Sequence, residues 1–436
     1  MKKTSIEAIN EAIAENVEQL KDAPEARPPE EKSKIEKIEE YIFWLYSFRL
    51  NRMTLTLEFS KDGIRWQEFQ DENLRDLVVD CKKRKFAKPK EDIEDLLKSS
   101  IVPKYDPIGE YFAELPSGRH GAIQRLADCI VLDKNIQVEW EGKTYRQLFD
   151  TYFRKWLMAC YLCNMGIKPN DVMLILIGAQ GRFKTSFLNH LTPKNMQNYS
   201  VCSHINPSLT DYNTTNYLAE KMFINVDDQM ETIFGKDYNS MKAIVSAPDV
   251  TNRKLYTSST RKRKRIANFV GSVNEAAFLR DSNNRRYLCF AIEDILPDYS
   301  KVDMDEVWGE VKDMVEATNA LYVFGKEDYR CIDQMNRCFE APTEEMDALV
   351  TVFAPAYDDI PGGETYYCTF SEILRMLRIY TGNNQLKPYN LQTAMRRFGY
   401  QRRPMRKDRF ACPMYLYSVH LKEVNASIYN QMESFK

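Results

Sequence analysis

Residues Asp171–Gly178 read DVMLILIG, an apolar run of strand length, and the run ends on a glycine that opens Ala-Gln-Gly-Arg-Phe-Lys-Thr before a helical segment, FLNHL. A strand that is apolar at successive positions is buried on both faces, which places it inside an α/β sheet. The chain then passes through a glycine-rich turn into a helix. In that order, the backbone N–H groups of the turn and of the helix start converge on an anion. The stretch therefore predicts a phosphate cradle made of Gly178, Gln180, Gly181, Phe183, Lys184, Thr185 and Ser186, with Lys184 reaching the β- and γ-phosphates and the Thr185 hydroxyl on magnesium. ATP and Mg2+ are the ligands such a cradle implies. Phe183 stands where the GxxxxGK[ST] pattern has its second glycine, so the backbone has fewer options there, and hydrolysis is less secured by the pattern than binding.

A second apolar strand, Lys221–Asp228 (KMFINVDD), ends in two carboxylates. Beside a phosphate loop, Asp227 is expected to hold magnesium and Asp228 to orient or deprotonate the attacking water; a solvated strand end is the plainer alternative. A third strand, Ile266–Asn274 (IANFVGSVN), ends in an amide suited to the γ-phosphate or the attacking water. Shortly after it, LRDSNNRRY carries Arg285 and Arg286. Paired arginines there can serve as a finger on a neighbouring subunit's nucleotide, or as structural ion pairs in a surface loop.

Two stretches are strongly basic although the whole chain has a net charge of −2. Between Arg253 and Arg265 lie seven cations and no acid, with Tyr256 among them. Such a cluster suits a single-strand track, with Arg253, Lys254, Arg261 and Arg263 on phosphates; a solvated basic loop is the alternative. Near the C-terminus, TFSEILRMLRIYTG, KPYNLQTAMRRFG and MYLYSVHL predict two helices followed by two short strands, the order of a winged helix-turn-helix. Arg396, Arg397 and Arg402 are its expected phosphate contacts. Winged helices also bind proteins.

At 436 residues the chain is long enough for several domains. Its punctuation predicts an N-terminal helix and linker over 1–39, a small α+β module over 40–104 with a hairpin at Asp62-Gly63, a helical lead-in over 105–170, the nucleotide core with a helical extension over 171–345, and a C-terminal unit over 346–436. No internal repeat is visible. No apolar run approaches the ~18–20 residues that span a bilayer, and the polar start has no secretory signal, so a cytoplasmic protein without membrane contact is expected. Ten scattered cysteines fit reduced thiols, and Cys160 and Cys163 fall on an amphipathic helix as core residues, not metal ligands.

The succession GAQGRFKTS, FINVDD, basic stretch and FVGSVNEAAFLRDSNNRRYLCF resembles the virulence-associated E family, a relative of superfamily 3 helicases, over about residues 40–330. Residues 105–116, YDPIGEYFAELP, are similar to the segment that leads into the family's core. The resemblance implies a P-loop NTPase core of AAA+/superfamily 3 type in an α/β fold, with a small N-terminal α+β and helical region and a C-terminal winged-helix-like domain. It implies an ATP-dependent DNA helicase or translocase in replication of a bacterial mobile element or prophage, assembled as a hexamer-like homo-oligomeric ring on single-stranded or origin DNA. Lys184, Thr185, Asp227, Asp228 and Asn274 take the phosphate, metal, water and sensor roles, and Arg285 or Arg286 the finger. Lys242, Arg253 and Lys254 fall where related helicases carry a DNA-contacting hairpin. The 1–104 region has no primase-type acidic constellation, so a separate primase is the implied partner. A nucleotide-regulated DNA-binding initiator that does not hydrolyse, and an RNA-directed NTPase on the same core, are the alternatives.

Overall fold

The computed structural model describes residues 32–118, 120–230, 233, 237–253, 260–279, 284–319, 323–356, 364–407 and 411–422. The N-terminal helix expected within residues 1–39 lies outside the described residues. The chain divides into two compact units, one ending at Pro107 and one beginning at Ile108.

In the first unit, helix α1 (Lys34–Leu45) starts at a capping box, in which Ser33 N donates to Glu36 Oε2 at 2.6 Å and Glu36 N donates back to Ser33 Oγ at 3.4 Å. Strands β1 (Ser47–Asn51), β2 (Leu57–Ser60) and β3 (Gln67–Glu68) pair antiparallel in sequence. The expected turn at Asp62-Gly63 joins the last two, with Gly63 at φ +71°. Helices α2 (Asp71–Lys83) and α3 (Pro89–Lys98) follow, and β4 (Lys104–Tyr105) returns parallel to β1. Ile38, Ile42, Phe48, Leu77, Cys81 and Ile93 form the core between helices and sheet.

The second unit opens with α4 (Pro107–Glu114), α5 (Ala122–Asp128), strand β5 (Ile130–Leu132) and the long helix α6 (Tyr145–Asn164). Strand β6 (Met173–Ile177), helix α7 (Lys184–His190), β7 (Ser200–Cys202), α8 (Tyr212–Glu220) and β8 (Phe223–Asn225) come next. They are followed by α9 (Tyr238–Ser246), the hairpin strands β9 (Asp249–Arg253) and β10 (Thr260–Lys264), β11 (Asn268–Val273) and β12 (Tyr287–Ile295). Six of these strands form one sheet in the order β5-β12-β6-β11-β8-β7. β12, β6, β11, β8 and β7 run parallel, and β5 closes one edge antiparallel. Every residue of β6 is buried, as its composition predicts, because β11 and β12 flank it and helices cover both faces. On one face, Trp156 Nε1 of α6 donates to Val172 O at 3.0 Å; α10 (Met304–Thr318) packs on α6, and its Trp308 Nε1 donates to Leu191 O at 3.0 Å. Cys160 and Cys163 are buried in α6 as free thiols, the core role expected of them.

Three expectations need correction. The lead-in region is not all helical: Ile130–Leu132 forms the antiparallel edge strand, pairing with β12, because three apolar residues that could extend a helix are captured by an open sheet edge. The acidic strand ends at Asn225, so the two aspartates lie on a short 3-10 turn beyond it. The basic stretch is not a solvated loop throughout, the alternative to a strand track: Arg253 and Thr260–Lys264 belong to paired strands, and Arg265 after them is a core residue. Arg265 is 1% exposed and donates to Ala247 O (2.7 Å), Ala267 O (2.6 Å) and Asn170 O (2.6 Å).

Helix α11 (Lys326–Asn336) packs on β12, and the C-terminal region follows as α12 (Glu344–Val352), β13 (Phe353–Pro355), β14 (Thr365–Cys368), α13 (Phe370–Thr381), α14 (Pro388–Arg397), β15 (Arg402–Met405) and β16 (Met414–Leu421). β16 pairs antiparallel with each of the other three strands. Helix and strand α12 and β13 join this region as partners the sequence did not reveal. Glu345 of α12 is buried and accepts from Lys387 N (2.7 Å) and Asn390 Nδ2 (3.1 Å), supplying the cap that α14 lacks from its own N-cap side chain. Burial pushes its carboxyl up, but these hydrogen bonds outweigh burial and hold it below its ordinary value. A depressed carboxyl contributes stability above its unfolded pKa and loses it as pH falls through the folded one. Glu345→Ala is therefore expected to cost about 1–3 kcal/mol near neutral pH, read by thermal or denaturant melts. The gap to wild type is expected to shrink as pH drops below about 4.5, and a gap constant down to acid pH would sink this assignment.

Candidate functional site

At the C-terminal ends of the parallel strands, the crevice where α/β sheets place ligands, a cleft of about 870 Å³ opens between the turn after β6 and the end of β11. Gln180, Gly181, Phe183, Lys184, Thr185 and Ser186 line one side, and Asp227, Ser272 and Asn274 the other. Every residue read from the sequence as part of the phosphate cradle except Gly178 lines this cleft; Gly178 stands at its base, where β6 ends.

Lys184 is the centre of the arrangement. Its side chain is mostly buried, and Nζ donates to Gly178 O (2.7 Å), Ala179 O (2.8 Å) and Asn274 Oδ1 (3.0 Å). Burial pushes its pKa down, while the Asp227 carboxylate opposes that shift. The ammonium therefore sits where an anion entering the cleft would improve its surroundings. Asp227 accepts from two hydroxyls at once, Thr185 Oγ1 on one carboxylate oxygen and Ser272 Oγ on the other. Its backbone N–H is held by Asn225 Oδ1 at 3.1 Å, and Asn225 Nδ2 donates to Asn189 Oδ1 of α7 at 2.9 Å.

A hard divalent cation such as magnesium takes oxygen ligands, usually one or two carboxylates with waters and substrate phosphates. The Thr185 hydroxyl and the Asp227 carboxylate, already in contact, fit that donor set. Among the described residues there is no group of three or more His, Cys, Asp or Glu placed to cage a metal without help. The side chain of Asp228 lies outside the described residues.

Backbone conformation accounts for two positions. Gly178 is fixed by close approach: a Cβ there would lie 2.6 Å from Ile292 O of β12. Phe183 adopts φ +55° and ψ +15°, the left-handed conformation that glycine enters freely, at the cap of α7. The pattern's departure from glycine thus leaves the turn's shape available at a cost of roughly 1–2 kcal/mol. The Phe183 ring is 48% exposed at the cleft.

The arginine pair lies elsewhere. Arg285 and Arg286 precede β12, whose Tyr287 pairs with Met173 at the start of β6, so the length of β6, roughly 16 Å at about 3.3 Å per residue, separates them from the phosphate turn of the same chain. Arg286 is half-buried, with Nε donating to Ser246 Oγ at 2.5 Å. Arg285 is exposed over the Tyr329 ring at 5.1 Å. Lys242 lies on α9, 4.1 Å from the Tyr238 ring.

Of the other cations picked from the sequence, Arg263 is mostly buried, donates to Ala219 O (3.1 Å) and pairs with Glu220 at 3.6 Å, so its charge is spent inside the fold. Arg397 pairs with Glu340 at 2.9 Å and donates to Arg337 O, tying α14 to the core. Arg396 and Arg402 are exposed, the latter 5.3 Å from the Tyr415 ring. Lys254 and the side chains of Arg253 and Arg261 lie outside the described residues. Sequence reasoning missed Ser272, Asn225 and Asn189; a serine inside the apolar strand FVGSV was the one available signal.

The family model of the virulence-associated protein E-like domain matches residues 124–341, half of the chain. The chain belongs to this family. The match holds every core residue of the cleft, and it starts well after residue 40, where the sequence resemblance was placed; the first unit and the C-terminal region fall outside it. No curated protein matches. Among solved structures, the chain is similar to the apo structure of the NrS-1 C terminal region (305-718), at 12% identity and TM-score 0.45, with 90% of this chain and 100% of that chain covered. It is likewise similar to two A-form apo structures of the same region, at 10% identity, TM-scores 0.43 and 0.46 and the same coverage. No described helix is long and apolar enough to cross a membrane.

Gly178→Ala is expected to destabilise the chain by about 1–3 kcal/mol, since its methyl group meets a backbone carbonyl that cannot swing aside. An unchanged melting temperature would show that β12 yields there more easily than its register implies.

Proposed function

We propose that this chain is a magnesium-dependent ATPase that drives movement on single-stranded DNA during replication of a bacterial mobile element or prophage. The carrying observation is Lys184, held between two carbonyls of the phosphate turn and the Asn274 amide, across from Thr185 and Asp227. Further support comes from the parallel order β12-β6-β11-β8-β7, with the turn after β6, between β12 and β11, which fits a P-loop core of AAA+/superfamily 3 type. The order α12-β13-β14-α13-α14-β15-β16 supports reading the C-terminal region as a winged helix, with the exposed Arg396 and Arg402 as phosphate contacts.

In this reading, the Lys184 ammonium exchanges its carbonyl partners for β- and γ-phosphate oxygens. Asn274 orients the γ-phosphate or the water that attacks it. Thr185 and Asp227 would hold magnesium, which when bound neutralises phosphate charge. Asp228 takes the water's proton. The distance of Arg285 and Arg286 from their own turn fits a finger acting on a neighbouring subunit, and hence a ring. Arg285 is the one presented outward; Arg286 is committed to Ser246.

Steady-state ATP hydrolysis with magnesium, with and without single-stranded DNA, tests the proposal. Lys184→Ala and Asp228→Asn are each expected to lower DNA-stimulated kcat by at least about 100-fold while the chain stays folded. Undiminished turnover in Lys184→Ala would defeat the reading. Phe183 favours a second reading, a nucleotide-regulated initiator that binds ATP without turning it over, because a side chain occupies the turn position that hydrolysing enzymes leave to glycine. Tight ATP binding with no turnover in wild type would decide for it. Arg285→Ala is expected to keep ATP affinity and lose turnover by about 10³-fold, whereas Arg286→Ala acts first on stability. Full turnover in Arg285→Ala would remove it as the finger.

A further inference from the structure

Outside the family-matched region, residues 81–90 (CKKRKFAKPK) hold six cations and no acid. They run from the last turn of α2 into α3 in the first unit. Lys82, Lys83, Arg84, Lys85 and Lys88 are all exposed. Lys90 pairs with Glu94 at 3.7 Å. The other five cations of the segment stand at the surface in a stretch that has no acid of its own.

Aromatic rings border this charge. Tyr41 stacks on Trp44 with centroids 6.3 Å apart and planes 26° from parallel, and Phe86 lies 6.2 Å from Tyr41. The Arg84 guanidinium sits 4.3 Å from the Tyr41 ring centroid, and the Tyr41 hydroxyl donates to Asp80. Trp44 ends the row and is 74% exposed. An indole is costly to leave in water, and here it is held at the rim of a cationic surface instead of being folded into the core beside it.

We infer that this surface binds single-stranded DNA. Exposed rings offer π-faces to bases, and paired strands keep those faces hidden, whereas an unpaired strand presents them together with its phosphates. Lys82, Lys83, Arg84, Lys85 and Lys88 match the phosphate charge, and the exposed Trp44 ring, backed by the half-buried Tyr41 and Phe86, offers a platform for a stacked base. The surface belongs to the first unit, whereas the cleft and the C-terminal region belong to the second, so it is a further contact with the strand. The choice of DNA over RNA rests on the replication reading above; the existence of the surface does not.

The test uses the full chain with a fluorescein-labelled oligo(dT), measured by anisotropy over a range of salt, and with an iododeoxyuridine oligonucleotide for photocrosslinking. Trp44→Ala is expected to weaken binding about tenfold. Arg84→Glu with Lys85→Glu is expected to weaken it further and to flatten the salt dependence. Both leave the buried core of the unit untouched, and unchanged melting curves would confirm that. Crosslinks are expected in the peptide holding Tyr41 and Trp44. Wild-type affinity in both variants, or crosslinks found only elsewhere, overturns the inference. Trp44-dependent binding of oligo(U) with no binding of oligo(dT) overturns the commitment to DNA. ATP hydrolysis reports separately on the core: a chain without turnover but with Trp44-dependent DNA binding loses the motor reading and keeps this one.

Discussion

The ammonium of Lys184 joins pieces of chain that are remote in sequence. It ties the carbonyls at the end of β6 to the amide at the end of β11, and that contact exists only because the two strands are parallel neighbours in register, Val273 beside Ile177. The register in turn needs Gly178, since any side chain there would press on β12. Asp227 does the same for the next strand, accepting from Thr185 on the helix side and Ser272 on the strand side. The cleft is thus a by-product of sheet assembly: unfold the sheet and no pair of these groups stays together. Buried polar groups of this kind are costly unless satisfied, which is why each has its partners even with the cleft open to solvent.

Much of this was legible because each component is announced locally. An apolar strand ending on a glycine, a strand ending on carboxylates and a strand ending on an amide are patterns of a few residues, and parallel topology brings strand ends to one side. The Asp62-Gly63 turn was readable because its chemistry is short-range. What stayed hidden depends on the partner found in three dimensions. Ile130–Leu132 is as good a helix end as a strand until β12 offers an edge. The acidic strand was taken three residues too far, since Val226, Asp227 and Asp228 continue the apolar-then-acidic pattern after the pairing has stopped. Glu345 gives no sign in sequence that it caps a helix more than forty residues away.

The first unit and the core use cations in opposite ways. Along α2 and the turn after it, lysines and arginines stay at the surface beside aromatic rings. Around α8 and β10, cations are drawn inward by carbonyls and by Glu220, whose carboxyl is itself raised by burial. The difference follows from strand context. A residue on a turn between helices has solvent on most sides, while a residue leading into a central strand must enter the sheet with it.

Arg265 shows what this does to arithmetic on charge. Seven cations in thirteen residues invite a polyelectrolyte estimate in which each one displaces a counterion. Arg265 spends its guanidinium on three main-chain carbonyls and Arg263 on Glu220, so two of the seven are invisible to salt. The effective valence of the tract is smaller than its formal one. The hairpin's base is also pinned by a guanidinium whose three nitrogens each reach a different carbonyl, a spread that a lysine's single nitrogen does not match.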